Sequence, residues 1–264
     1  MASTAATKQA SPFKVEMYTP TAKDWPYSSL DFARQDEDPD TEFYASPKYV
    51  THIDDNAIEQ LAKYYDHVLP KEGKVLDFCS SWVSHYPDRI AKDDKIQVYG
   101  TGLNQAELNK NPLFGSPSAS RRAVQDLNSD PDLSKTFPNT KFAASTCTVS
   151  IDYLSKPLEV LSSLRQATQE NGTVHLAISN RAFWHKVVAR WMEVSERERL
   201  EMVGDYLWFA GWREVEIVTV CEGRQASGGG GIWGLLGRGG GGAGDPLWVV
   251  RGRNVGGVVK ETGV

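Results

Sequence analysis

Five short stretches of this sequence carry residue types suited to binding or chemistry, and each follows an apolar run. KVLDF at 74–78 carries Asp77 as its acidic residue and leads into Cys79, Ser80, Ser81, Trp82, Val83 and His85. A second run ends at Gly102 and Asn104, and a third at Asp126 and Leu127. A fourth passes Cys147 and reaches Asp152 and Tyr153, and a fifth ends at Asn180 and Arg181. Asp77 is a carboxylate able to pair with a cationic group. Arg181 can hold a carboxylate or phosphate through two parallel N–H donors. His85, Asp152, Tyr153 and His185 are the candidates for a base or substrate contact, and His85 and Asp152, just past two strands, are expected at a pocket mouth. A GxGxxG turn, which would seat a pyrophosphate on a helix N-terminus, is missing after KVLDF, where no glycine occurs before Gly100. That disfavours a nicotinamide-dependent oxidoreductase. Cys79, Cys147 and Cys221 have no CxxC or Cys/His spacing for zinc, so no metal is expected. They read as buried thiols in a reducing compartment.

The elements that would position these residues alternate. Asp54 or Asp55 can cap a helix through AIEQLAKYYDHVL, after which KVLDFCS is a buried strand. KIQVYGTGLN is a second strand and its exit turn, QAELNKN a short helix, and RRAVQDLN a third strand. KFAASTCTVSIDYL gives a fourth strand. KPLEVLSSLRQATQENG is helical, with Leu158, Leu161 and Leu164 on one side and Gly172 as its stop, and TVHLAISN is a fifth strand. The stretch 181–211 is expected to be mostly helical, with Trp184, Trp191, Trp208 and Phe209 at helical spacing. WREVEIVTVCE and DPLWVVRGR close the pattern as an antiparallel hairpin at one edge of the sheet. Strands alternating with helices predict a Rossmann-like α/β fold: a seven-stranded, mainly parallel sheet with helices on both faces. In such a sheet ligands sit at the carboxyl ends of the strands, which is where the five stretches lie.

KVLDFCSSWVSH resembles the first motif of class I S-adenosyl-methionine-dependent methyltransferases, an apolar strand, an acidic residue and then a glycine-rich loop. The match is closest to a subgroup of methyltransferase-like proteins whose loop reads CSSW. The blocks that carry it are FCSSWVSH at 78–85, GLNQAELNKNP at 102–112, VQDLN at 124–128, VSIDYLSKP at 149–157 and SNRAFWHKVVARW at 179–191, and the resemblance as a whole covers roughly residues 43 to 253. The resemblance implies S-adenosyl-methionine as cofactor. Asp77 would order the loop and meet the methionine amino group, with Cys79 and Ser81 in the loop itself. Gly102 stands where the family usually carries a ribose-binding acid, and Asn104 would offer a neutral oxygen instead. Asp126 and Leu127 would contact adenine, and Cys147 would face the sulfonium side. Asn180 and Arg181 fall on the substrate side. His85, Asp152 and Tyr153 are the catalytic candidates.

The chain has 264 residues, 40% hydrophobic and 24% charged, with a net charge of −5. The acidic balance argues against nucleic acid as a partner. No apolar stretch approaches a membrane span, so a cytoplasmic or nuclear location is expected. Residues 1–46 read as a partly disordered extension whose segment DWPYSSLDFARQ can dock on the domain. Residues 47–253 form the domain, and 254–264 a tail. Residues 223–245 are a glycine-rich insertion with an apolar island at Ile232, Trp233, Leu235 and Leu236. A methyltransferase with a small-molecule substrate is the leading reading. The alternative is an inactive methyltransferase fold serving as a binding module: the loop lacks glycines, Val83 is stiff and ill suited to positive φ, and Trp82 could fill the cleft. Oligomeric state is not readable from the sequence.

Overall fold

The computed structural model describes residues 11–93, 95–114, 121–223 and 244–256. Outside them lie residues 1–10, most of the tail, and all but the ends of the glycine-rich insertion, with Ile232, Trp233, Leu235 and Leu236.

Five strands run parallel: β2 (Gly73–Asp77), β3 (Ile96–Gly102), β4 (Arg122–Val124), β5 (Phe142–Thr148) and β6 (Thr168–Ser179). After β7 (Arg213–Cys221), β8 (Leu247–Arg253) turns back and inserts antiparallel between β6 and β7. A further strand, β1 (Lys14–Met17), pairs antiparallel with β7. The order is β1-β7-β8-β6-β5-β2-β3-β4. The sheet therefore has eight strands rather than seven, and the β7–β8 hairpin is not its edge. β1 is only four residues long, too short for its alternation to stand out within a polar segment. It is recruited because Phe13 and Val15 pack against the core and the Tyr18 hydroxyl donates to Asp205 at 2.5 Å.

The sheet is buried on both faces, which is why its central strands read as continuous apolar runs. Leu76 belongs to a core shared with Leu161, Leu164, Tyr206 and Trp212 on one face, and Val75 to one with Ala57, Leu61, Tyr64 and Tyr65 on the other. The second group comes from α2 (Asp55–Val68), whose buried positions recur at i, i+4, i+7 and i+8, and whose first turn is capped by Asp54 accepting from the Ala57 N–H at 2.8 Å. The first comes largely from α6 (Pro157–Ala167) and α8 (Glu196–Phe209), the latter opened by a Ser195–Glu198 capping box.

Two boundaries differ from expectation. α6 stops at Ala167, and β6 already begins at Thr168, irregularly, with the pairing shifting between Phe142 and Ala144. Gly172 thus lies inside a strand, where a Cβ would come within 2.5 Å of Thr168 Cγ2. Residues 181–188 are not helical, with a turn at 184–186 and Val188 bridging to Arg34, and the first helix of this stretch is α7 (Ala189–Glu193). Trp184 is accordingly exposed, while Trp191 is buried. Segment 24–35 docks on the domain: Trp25 stacks on Phe32, and the Tyr27 hydroxyl donates to Asp205 at 2.8 Å.

The chain runs outward from β2 through β3 to β4, then returns across the sheet to β5 and β6. The strand order therefore reverses between β2 and β5, and this opens a crevice at their carboxyl ends. Among the described residues no helix is long and apolar enough to cross a membrane.

Candidate functional site

A cleft of about 740 Å³ occupies that crevice. Loops after β2, β3, β4, β5 and β6 line it, and the segment from Asp40 to Ile53 covers it. The volume suits a small-molecule or cofactor site.

Asp77 ends β2 on the cleft floor, accepting hydrogen bonds from Ser80 Oγ at 2.6 Å and Thr146 Oγ1 at 3.2 Å. Burial pushes its carboxyl up to about 6, against the pull of these hydroxyls. The loop that follows turns without glycine, because Cys79 (φ 53°) and His85 (φ 54°) take the left-handed conformation; Val83 does not. The loop then lies across the end of β3, with the Ser80 N–H donating to the Thr101 carbonyl at 2.6 Å. A Cβ on Gly102 would stand 2.1 Å from the Ser80 carbonyl oxygen. No side chain fits at Gly102, and the loop backbone fills the place where a carboxylate would project.

Trp82 does not fill the cleft. Its ring is turned away, with Nε1 donating to the Val50 carbonyl at 3.1 Å and the ring edge-on to Tyr49, while Lys110 Nζ sits 3.8 Å from the Tyr49 ring centre. These contacts clasp segment 44–50 as a strap over the cleft. Asn104 holds its other end. The Asn104 Oδ1 caps α4 (Gln105–Lys110) by accepting from the Ala106 and Glu107 N–H groups, and its Nδ2 donates to the Tyr44 carbonyl at 2.7 Å. Glu107 accepts from the Lys48 N–H at 2.5 Å, and burial raises its carboxyl.

No family model matches the chain, and no curated protein matches it. Among the solved structures it resembles in fold are methyltransferases. They include phosphoethanolamine N-methyltransferase 2 of Haemonchus contortus in complex with S-adenosyl-L-methionine (13% identity, TM-score 0.45, covering 75% of this chain and 52% of that one). A SAM-dependent methyltransferase from Archaeoglobus fulgidus aligns at 13% identity and TM-score 0.46, over 74% of this chain and 94% of that one. A possible histamine N-methyltransferase from Thermotoga maritima aligns at 14% and 0.45, over 75% and 89%. The chain spans about half the length of the Haemonchus enzyme. At these scores the strand order itself, rather than the alignments, defines the fold.

Asp77, Cys79, Ser81, Gly102, Asn104, Asp126, Leu127, His85, Tyr153, Asn180 and Arg181 all line this one cleft. Asp126 spends its carboxylate on a turn, accepting from the Asn128 N–H at 2.9 Å and Ser129 Oγ at 2.7 Å. Three expectations fail. Cys147 is buried in the core, because side chains alternate along β5 and its neighbour Thr148 takes the cleft side. Asp152 is buried too and does not reach the pocket mouth; burial pushes its carboxyl up to about 7. It sits in a 3₁₀ turn, Ile151–Tyr153, whose side chains fan out by a third of a turn each, so Tyr153 faces the cleft instead. His185 is exposed against Phe43 and does not line the cleft. Of the three thiols only Cys147 is buried; Cys79 and Cys221 are half-buried, and all are free.

The sequence did not point to Lys48, His52, Glu107 or Lys186, which also line the cleft. Lys186 is buried and is held by Asp36 at 3.0 Å and the Asp38 carbonyl at 2.8 Å, with Asp40 at 3.6 Å. Arg34 meets Asp40 at 2.8 Å, so this ion cluster anchors the base of the strap. Burial lowers His52, helped by the charge of Lys48, and lowers His85 to about 4, helped by His52. Both imidazoles are neutral at neutral pH.

Proposed function

We propose that this chain binds S-adenosyl-methionine in the cleft and transfers its methyl group to a small-molecule acceptor. The observation that carries this reading is the cleft itself. It lies at the reversal of strand order, it is open because Trp82 is turned out of it, and it has a buried carboxylate, Asp77, at its floor. When bound, the cofactor supplies an activated methyl group, so the protein need only bind and align. Asp77 would hold the methionine ammonium group, with Cys79 and Ser81 walling it in. Glu107 would supply the acidic group toward the ribose that Gly102 has no room to carry. Asp126 and Leu127 would flank the adenine, Leu127 through its backbone. Asn180, Arg181 and Tyr153 would meet the acceptor, with the neutral His85 imidazole available to take a proton.

A second reading, a binding module without catalysis, is favoured by the polar atoms of Asn104 and Asp126 being spent on local turns. Calorimetric titration with S-adenosyl-homocysteine, comparing Asp77→Asn, separates the cofactor reading from a cleft with another ligand. The cofactor reading predicts saturable micromolar binding, weakened at least about tenfold in the variant, the scale of one lost charge-assisted bond. No heat of binding at millimolar ligand would contradict it. Methyl transfer in an acceptor screen then divides enzyme from module.

A further inference from the structure

Five carboxylates line the cleft: Asp40, Asp77, Glu107, Asp126 and Asp245. Those at its acceptor end are already matched. Asp40 is held by Arg34, Lys186 and Asn128. Asp245 accepts from the Asp54 N–H at 2.8 Å and from Arg181 Nε at 2.8 Å. Two cations there keep donors free among the described residues. Lys48 Nζ makes no direct ion pair among the described residues, although its charge acts on Glu107; it rests over the Phe43 ring, 4.3 Å from its centre, and is half-buried at the cleft wall. Arg181 is fixed by Nε alone, which leaves the two terminal nitrogens of its fork unpartnered, on a side chain 51% exposed. The third cation, Lys186, is spent on Asp36, Asp40 and the Asp38 carbonyl.

A half-buried ammonium without a directly paired carboxylate keeps part of its desolvation cost, which a bound anion recovers. A guanidinium clamped at Nε keeps its two terminal nitrogens in a rigid fork matched to carboxylate or phosphate. Phe183 lines the same cleft, edge-on to His52 at 5.5 Å and to Phe43, the ring under Lys48, at 5.3 Å, an apolar surface for a flat molecule. Resting on the methyltransferase reading, we infer that the acceptor is a small molecule with a carboxylate or phosphate group, which Lys48 and the free edge of Arg181 hold while its apolar part lies on Phe183.

The test uses the full chain with and without saturating S-adenosyl-homocysteine. Benzoate, phenyl phosphate, benzyl alcohol and benzylamine are titrated by ligand-observed NMR. The inference predicts that benzoate or phenyl phosphate binds at least about tenfold more tightly than the neutral and cationic probes, with the better of the two naming the anion. Lys48→Gln should erase that preference, and Lys48→Arg should keep it. Arg181→Gln should also weaken the anion, but it strips a buried Asp245 of its partner, so Lys48 is the deciding position. Equal binding of all four probes, or a preference that survives Lys48→Gln, overturns the inference. So does a Lys48→Gln variant that loses S-adenosyl-homocysteine but not the anion, because the lysine would then serve the cofactor. S-adenosyl-homocysteine binding without anion preference sinks this inference alone. Its failure to bind sinks the cofactor reading, and the probes still decide the anion site on the free protein.

Discussion

Asp77 is the residue on which most depends, and its chemistry sets a pH signature. Its folded value, near 6, lies above the ordinary carboxyl value near 3.9. The folded protein therefore keeps a proton that the unfolded chain has released, and ionising Asp77 costs the fold stability as pH rises from about 4 to about 6. An ammonium group beside it favours the ionised form. Affinity for S-adenosyl-homocysteine should thus fall as pH drops below about 6, approaching tenfold per pH unit for one coupled proton. Calorimetry between pH 5 and 7 checks this, and a flat profile would remove Asp77 from the site. Asp77 was legible in the sequence because it ends an apolar run. Glu107 was not, since on a short helix it looks like any solvated acid. Only the fold shows that Gly102 is denied a side chain by the Ser80 carbonyl and that Glu107 lines the same cleft.

At the scale of elements, the loop after β2 and the strap over the cleft form one device. The sequence shows Trp82 next to the cleft and leaves its direction open, because direction depends on Tyr49 and Val50, some thirty positions earlier in a segment without periodicity. The structure turns the ring outward and makes it the clasp. Trp82→Ala should speed release of S-adenosyl-homocysteine about tenfold, equivalent to about 1.4 kcal/mol. Trp82→Phe, which loses the bond to the Val50 carbonyl and part of the ring but stays aromatic, should fall between. Stopped-flow displacement reads both rates, and unchanged release in Trp82→Ala would show that the strap does not hold the ligand. The 3₁₀ turn at Ile151–Tyr153 teaches the same lesson. Asp152 and Tyr153 look equivalent as neighbours in sequence, and a one-residue rotation sends one to the core and the other to the cleft.

For the whole molecule, the order of strands and helices was legible from α2 onward, because apolar runs and caps such as Asp54 mark them locally. Before α2 only the docking of segment 24–35 was legible, from its aromatic residues. Strand β1, the docked segment 24–35 and the strap are each held by distant partners rather than by their own pattern. Tyr18 illustrates it, binding Asp205 of α8 together with Tyr27. Tyr18→Phe should destabilise the protein by about 1.5–3 kcal/mol, the scale of a hydrogen bond to a charged group. Urea unfolding measures it, and a change near zero would mean that β1 is not tied to the domain by this bond.

The most direct test of the account is a crystal structure grown with saturating S-adenosyl-homocysteine. The account predicts the molecule in the cleft between the ends of β2 and β3, its ammonium group within hydrogen-bond distance of Asp77, its ribose toward Glu107 and the strap closed over it by Trp82. A cleft empty at saturating ligand, or the molecule bound elsewhere on the surface, would contradict it.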